Sequence, residues 1–237
     1  MVYFVGAGTG AADLITVRGM RLLERADVII YAGSLVNPEL LAYAGKTCEI
    51  HNSAKLTLDE VIEIMKEADK QGKMIVRLHT GDQSVYGAVR EQMDELDRLG
   101  IAYESCPGVS ACFGAAASLN LEYTLPGVSQ SLIITRMEGK TAVPEKESIE
   151  SFAAHQASMA IYLSTGLLEE LGRRLMAGRY PCSTLLQGHL AGGRILALHC
   201  GDIVSDGKRT WHYKDGDCSC WRGHWPSELP EIKVICT

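Results

Sequence analysis

The chain alternates short apolar runs with longer stretches whose apolar residues recur every three to four positions. Val2–Gly6 is the first such run. DLITVRGMRLLERA follows with helical spacing, and DVIIYAG is apolar again. Unbroken apolar runs of this length look like strands covered on both faces, so each reads as a buried parallel strand. The unit then recurs. Thr57–Lys70 sets Leu58, Val61, Ile62, Met65 and Ala68 on one helical face, with Thr57 and Glu60 as a capping box and Gly72 as the stop. MIVRL reads as a strand, AVREQMDELDRLG as a helix closed by Gly100, IAYESCPG as a strand and VSACFGAAASLN as a small-residue helix. Between the second strand and Thr57, SLVNPE reads as a loop. Its Asn37-Pro38 pair opens a short helix, LLAYAG, and a stretch without clear pattern then runs to Ala54.

Leu119–Pro126 reads as a linker, after which the alternation restarts. VSQSLIITRMEG predicts a strand, TAVPEKES a surface loop, SIESFAAHQ a helix, MAIYLS (Met159–Ser164) a buried strand and LLEELGRRLMAG a helix. Strands alternating with helices predict an α/β protein. The break near the middle predicts two domains, residues 1–119 and 126–237.

Three strands of the first half run into glycine-bearing loops: GAGTG, RLHTGDQSVYG (Arg77–Gly87) and PGVSA (Pro107–Ala111). Loops at the carboxyl edge of an open α/β sheet are where such proteins bind ligands, and glycine lets the backbone come close. GAGTGA is similar to a dinucleotide fingerprint. That fingerprint needs an acid at the end of the second strand to hold a ribose, and Tyr31-Ala32 stands there, which argues against a nicotinamide or flavin. Ser110, at a helix start, reads first as an N-cap.

Composition narrows the class. A chain of 237 residues and 25.8 kDa, 46% hydrophobic, is long enough to bury two cores. A formal charge of −6 offers no basic field for nucleic acid or anionic membrane. No apolar run approaches the roughly 18 residues of a membrane helix, and MVYFVGAG lacks a signal peptide's charged start. The expectation is a cytoplasmic protein whose cysteines are thiols.

The longest motifs go further. VYFVGAG, DLITVRG, ADVIIYAGSLVNPELL, VRLHTGD, VYGAVREQ, PGVSA, YTLPGVSQ, ITRMEGKT and HQASMAIYLS, running from residue 2 to about 184 almost without a gap, resemble the tetrapyrrole (corrin/porphyrin) methyltransferases. They are most similar to the branch that methylates carbon 11 of a precorrin-4-type ring in cobalamin synthesis. The resemblance implies two α/β domains with S-adenosylmethionine in the cleft between them, a homodimer, and a tetrapyrrole as substrate. It implicates Gly81, Asp82, Val85 and Tyr86 in holding the methionine part of the donor, with Ser110, Ala111, Thr9 and Leu163 also beside it. Ser34, Asn37 and Arg136 are placed near the substrate, and Arg18, Arg21, Arg77, Arg90 and Lys140 are further candidate anchors for its carboxylates. Two positions depart from the family pattern: Thr9 and Gln83 stand where proline is usual, which loosens both loops. No general base is identified and no metal is expected. A sibling activity on another ring carbon and an inactive damaged copy are the alternatives.

After Thr184 the resemblance stops. The remainder shows poor periodicity and few strand or helix templates. It gathers all three tryptophans and, with Cys182 just before it, Cys200, Cys218, Cys220 and Cys236. One account is a shifted reading frame. Gln187–Gly192 encoded CAA-GGC-CAC-CTG-GCC-GGA reads, one base later, Lys-Ala-Thr-Trp-Pro and then an acid, as in the family. Lys208–Gly216 shifts similarly to Gly-His-Gly-Ile-Thr-Lys-Thr-Ala. On that account the C-terminal domain is incomplete, and the chain is unstable and binds the donor poorly. The other account is a genuine tail in which Cys218, Cys220 and His224, with Cys200 or His212, bind zinc.

Overall fold

The structure is a computed structural model and describes residues 1–139, 141–177, 182–189, 194–198 and 232–236. The chain divides into two compact units at Asn120/Leu121. The first holds a parallel five-stranded sheet made of β1 (Val2–Gly6), β2 (Val28–Tyr31), β3 (Glu49–Asn52), β4 (Ile75–His79) and β5 (Tyr103–Cys106), in the order β3-β2-β4-β1-β5. The helices are α1 (Val17–Arg25), α2 (Leu58–Lys70), α3 (Arg90–Leu99) and α4 (Ala111–Ser118).

Strand alternation divides the core between the two sheet faces. Val5, Ile29, Val76 and Leu78 pack with Leu22 and Leu23 of α1 and with Leu40. Val2, Phe4, Val28, Ile30 and Ile75 pack with Val61, Ile62 and Met65 of α2 and Leu96 of α3. With α1 on one face and α3 on the other, the connections leaving the neighbouring strands β1 and β4 turn to opposite sides. That junction is the switch point of the sheet.

The second unit carries a sheet ordered β6-β7-β10-β8-β9: β6 (Leu132–Arg136), β7 (Ser158–Tyr162), β8 (Cys182–His189), β9 (Arg194–Leu198) and β10 (Ile232–Cys236). β10 pairs parallel with both β7 and β8, and β6 with β7. Helices α5 (Ile149–Ala153) and α6 (Leu168–Ala177) bury Ile149, Ala153, Leu171 and Leu175 against Met159 and Ile161.

Several expectations are corrected. The first helix starts at Val17, not Asp13, because Ile15 and Thr16 are extended and the Thr16 hydroxyl accepts the Gly19 N–H as its cap. LLAYAG belongs to a 3-10 helix, Pro38–Tyr43, capped by Asn37. The patternless stretch before Ala54 contains β3, whose exposed edge (Glu49, Ile50 and Asn52 are open to solvent) has no buried face to leave a periodicity. The stretch after Thr184, read as poor in strands, contributes most of β8 and all of β9 and β10. Cys200, His212, Cys218, Cys220, His224 and Lys140 lie outside the described residues. Among the described residues no helix is long and apolar enough to cross a membrane.

Candidate functional site

Three loops leave the carboxyl edge of the first sheet and meet. The loop after β1 and the loop after β4 are zipped by backbone: Gly8 and Gly81 exchange two N–H···O bonds of 3.1 Å, and Ala7 N–H reaches His79 O at 2.6 Å. The loop after β5 lies against both. A Cβ on Gly108 would sit 2.1 Å from Gly81 O, and one on Gly6 would sit 2.6 Å from Gly108 Cα and Gly81 O. No side chain fits there, so these glycines set the spacing of the loops.

Asp82 locks the arrangement. One carboxylate oxygen accepts the Gly108 N–H at 2.8 Å; the other accepts the Ser84 N–H at 2.8 Å and the Ser84 hydroxyl. Burial pushes its pKa up, but the bonds from Ser84 and Gly108 outweigh this and hold it below the ordinary carboxylate value. Both oxygens thus already serve the loops. Ser110 and Ala111 lie close to Gly81, since a Cβ there would be 3.5 Å from Ala111 N and 3.9 Å from Ser110 Oγ. Ser110 occupies the N-cap position of α4, but its side chain makes no capping bond, contrary to the cap reading.

The structure brings Gly81, Asp82, Ser110 and Ala111 together. Thr9 joins them differently: it is buried, with its side chain filling the notch over Gly114 of α4, where a Cβ would be 2.4 Å from Thr9 Cβ. Asn37 ties the second loop to the first, its Nδ2 donating to Gly10 O at 2.8 Å. Ser34 lies in the short 3-10 turn Gly33–Leu35 just before it. Val85 is half-buried. Tyr86 is exposed and left-handed, with φ +55°.

Leu163 and Arg136 belong to the second unit. Leu163 follows β7 with φ +55° and is 67% exposed, an apolar side chain held out on a strained backbone. The Arg136 guanidinium donates to the carbonyls of Met137, Thr141 and Ala142, so it staples the loop after β6.

Arg77, a candidate anchor for the substrate's carboxylates, is instead 6% exposed and bonded inside the protein. Arg90 pairs with Asp94 and Asp97 along α3, while Arg18 and Arg21 are exposed. His79 and Gln83 lie in the RLHTGDQSVYG motif, though neither is singled out there as a contact. Both are buried, and among the described residues His79 Nε2 and Gln83 Oε1 have no hydrogen-bond partner. Burial, with the Arg77 charge added, pushes the His79 pKa down to about 3, so the ring is neutral.

Residues 1–186 match the family model described as Tetrapyrrole (Corrin/Porphyrin) Methylases. The chain belongs to that family. The methylase match runs through all three loops and ends close to Thr184, where the sequence departs. A cobalt-precorrin-4 C(11)-methyltransferase of Methanocaldococcus jannaschii is 54% identical over 179 residues, 76% of this chain and 69% of the relative. A precorrin-4 C(11)-methyltransferase of Rhodococcus erythropolis is 45% identical over 176 residues, 74% of this chain and 71% of the relative. Among solved structures, a cobalt precorrin-4 methyltransferase superposes with TM-score 0.80 at 38% identity, covering 85% of this methylase and 86% of the other.

Proposed function

We propose that this methylase transfers the methyl group of S-adenosylmethionine to carbon 11 of a precorrin-4-type tetrapyrrole in cobalamin biosynthesis. The observation that carries the reading is the similarity to enzymes named for this reaction, 54% identical over 179 residues in one case, within a family match that spans the loops after β1, β4 and β5.

The residues suit such a donor. Gly6, Gly81 and Gly108 present backbone instead of side chains, and the first turn of α4 is left uncapped by Ser110. A helix start favours a carboxylate through its backbone N–H groups and dipole, and the donor's amino-acid end carries one. In this reading Gly81, Val85, Tyr86, Ser110, Ala111 and Leu163 lie against the donor, while Thr9 and Asp82 act by fixing the loops. Ser34, Asn37 and Arg136 serve the substrate side, Asn37 and Arg136 by shaping loops.

The donor supplies an activated methyl on a sulfonium. The carbon–sulfur bond breaks with its electron pair staying on sulfur, while an electron pair of the ring carbon forms the new carbon–carbon bond. The protein's part is to align the two centres and exclude water, which needs no nucleophilic triad. We also place the enzyme in the cytoplasm as a homodimer, which light scattering would report as twice 25.8 kDa.

The test is single-turnover transfer from methyl-labelled S-adenosylmethionine to cobalt-precorrin-4 and to precorrin-4. One label at carbon 11 is expected. A label at another ring carbon, or none from either ring, would overturn the reading.

A further inference from the structure

Arg77 is a buried cation in the middle of β4, and neither of its partners is a carboxylate. Nε donates to Gln92 Oε1 at 2.9 Å and Nη1 to Ile30 O at 3.2 Å. Burial lowers its pKa to about 10, so it remains charged at neutral pH. Gln92, 6% exposed on α3, passes the interaction on: its Nε2 donates to Ala88 O at 3.1 Å.

Ala88 is an unusual residue to anchor. It has φ +50°, and Tyr86 has φ +55°; these are two of five non-glycine residues with positive φ among the described residues. L side chains hold that conformation only where the surroundings impose it. Gly87 lies between them, and a Cβ there would be 2.2 Å from Gln83 O, so the turn is folded tightly onto the loop after β4. α3 has no side-chain cap, since Val89 stands at its N-cap. The relay from Arg77 through Gln92 thus links the central strand to the carbonyl of the strained turn. A side chain at position 92 must accept from Arg77 and donate to Ala88 at once, and an amide does both.

We propose that Arg77 and Gln92 are positioning residues that hold the Val85–Ala88 turn in the shape in which it meets the methyl donor, and so set donor affinity. This rests on the function proposed above and names residues that act behind the binding loop.

Gln92→Glu separates the two halves of the relay. A carboxylate beside Arg77 stays ionised and accepts well, but it donates nothing to Ala88. Gln92→Met loses both halves. The full chain is assayed by calorimetry with S-adenosylhomocysteine and by amide hydrogen exchange over residues 83–90. For Gln92→Glu the expected result is a melting temperature at or above that of the parent, faster exchange over 83–90, and affinity weakened about five- to tenfold, the loss of one hydrogen bond. Donor KM rises while kcat stays within about twofold, because the residue does not meet the reacting atoms. Gln92→Met loses affinity and melting temperature together.

Unchanged exchange and affinity in Gln92→Glu overturn the proposal. So does faster exchange with unchanged affinity, because the turn would then be held for another purpose. If S-adenosylhomocysteine binds neither the parent nor a chain carrying the shifted frame after Thr184, or binds in a way that Gly81→Val leaves untouched, the functional reading of the loop falls instead, and the proposal with it.

Discussion

The two sheets reach their centres by different routes. In the first unit, β1 and β4 lie side by side at the switch point, and both come from the first 79 residues. In the second, the strand between β7 and β8 is β10, Ile232–Cys236, drawn from beyond residue 186, where the family match ends. Each half is therefore vulnerable in a different place. A change of sequence after Thr184 leaves the loops after β1, β4 and β5 untouched. It falls on the middle of the other sheet, where two neighbours depend on each ladder bond and a lost strand exposes unpaired edges.

The largest effect should therefore come from restoring the other frame. Sequencing the gene across codons 180–237 is expected to show bases that permit Lys-Ala-Thr-Trp-Pro one position after Gln187. The same offset over Gly216–His224 permits Ala-Ile-Val-Pro-Val-Gly-Gly-Val, an apolar run of strand length. A chain carrying that frame from Thr184 onward should bind S-adenosylhomocysteine at least about tenfold more tightly, roughly 1.4 kcal/mol, and melt higher. Codons that forbid the offset would remove the contrast between the two sheets, and the tail would then be genuine, its Cys218, Cys220 and His224 to be tested with zinc.

Next in size is the packing of the three loops. Gly108→Ala places a methyl 2.1 Å from Gly81 O, a backbone atom with nowhere to retreat. The loops must separate, and a cost of about 2–3 kcal/mol is expected, with loss of S-adenosylhomocysteine binding. Gly139→Ala, with no atom within 4 Å of its added Cβ, should change neither melting nor binding. Equal tolerance at both positions would show that the first-unit edge is not built on close approach.

Much of this was legible in the sequence because apolar runs and amphipathic stretches report burial directly. Thr57 and Glu60 form the capping box that their spacing announced, and Gly100 closes α3 in the left-handed conformation. β3 escaped because an edge strand with solvent on its side chains leaves no pattern. Arg77 was misjudged for a related reason. As an arginine beside a ligand loop it reads as an anchor for the substrate's carboxylates, and only the fold shows the Gln92 and Ile30 oxygens that hold it inside. Asp82 stands out in its motif, but its role as a bridge to Gly108 depends on a contact 26 residues away, which no local pattern encodes.

His79 offers a finer probe of the first unit. The folded pKa of about 3 lies below the ordinary value of 6.5 that the unfolded chain recovers. Above pH 6.5 both states are neutral, and the stabilisation is complete. Below it the unfolded chain takes a proton that the folded one refuses. Stability should then fall by about 1.4 kcal/mol per pH unit until pH nears 3. His79→Gln removes that slope. The difference between parent and variant in first-unit exchange protection, followed from about pH 7 to about pH 5, isolates it from the carboxylates, which titrate lower. Parallel curves would mean that the ring finds a partner when protonated.

The smallest effect tests the second unit by its best-paired charge. Arg174 of α6 is 14% exposed; it meets both oxygens of Glu150 at 2.6 Å and also pairs with Glu138. The hydrogen bonds that Arg174 donates to Glu150 and Glu138 outweigh burial and hold its pKa above the ordinary arginine value, while both acids are held below theirs. The network joins α6 to α5 and to the loop after β6, elements that pack around the β6–β7 half of the sheet. Arg174→Ala leaves two carboxylates facing each other, and about 1–2 kcal/mol should be lost. Arg98→Ala, which removes an exposed pair with Glu95 on α3, should leave melting unchanged. If the frame-restored chain loses as much to Arg174→Ala as the parent does, the β6–β7 half folds independently of the residues beyond Thr184. A larger loss in the restored chain would mean that the network becomes effective only once the centre of the sheet is properly filled.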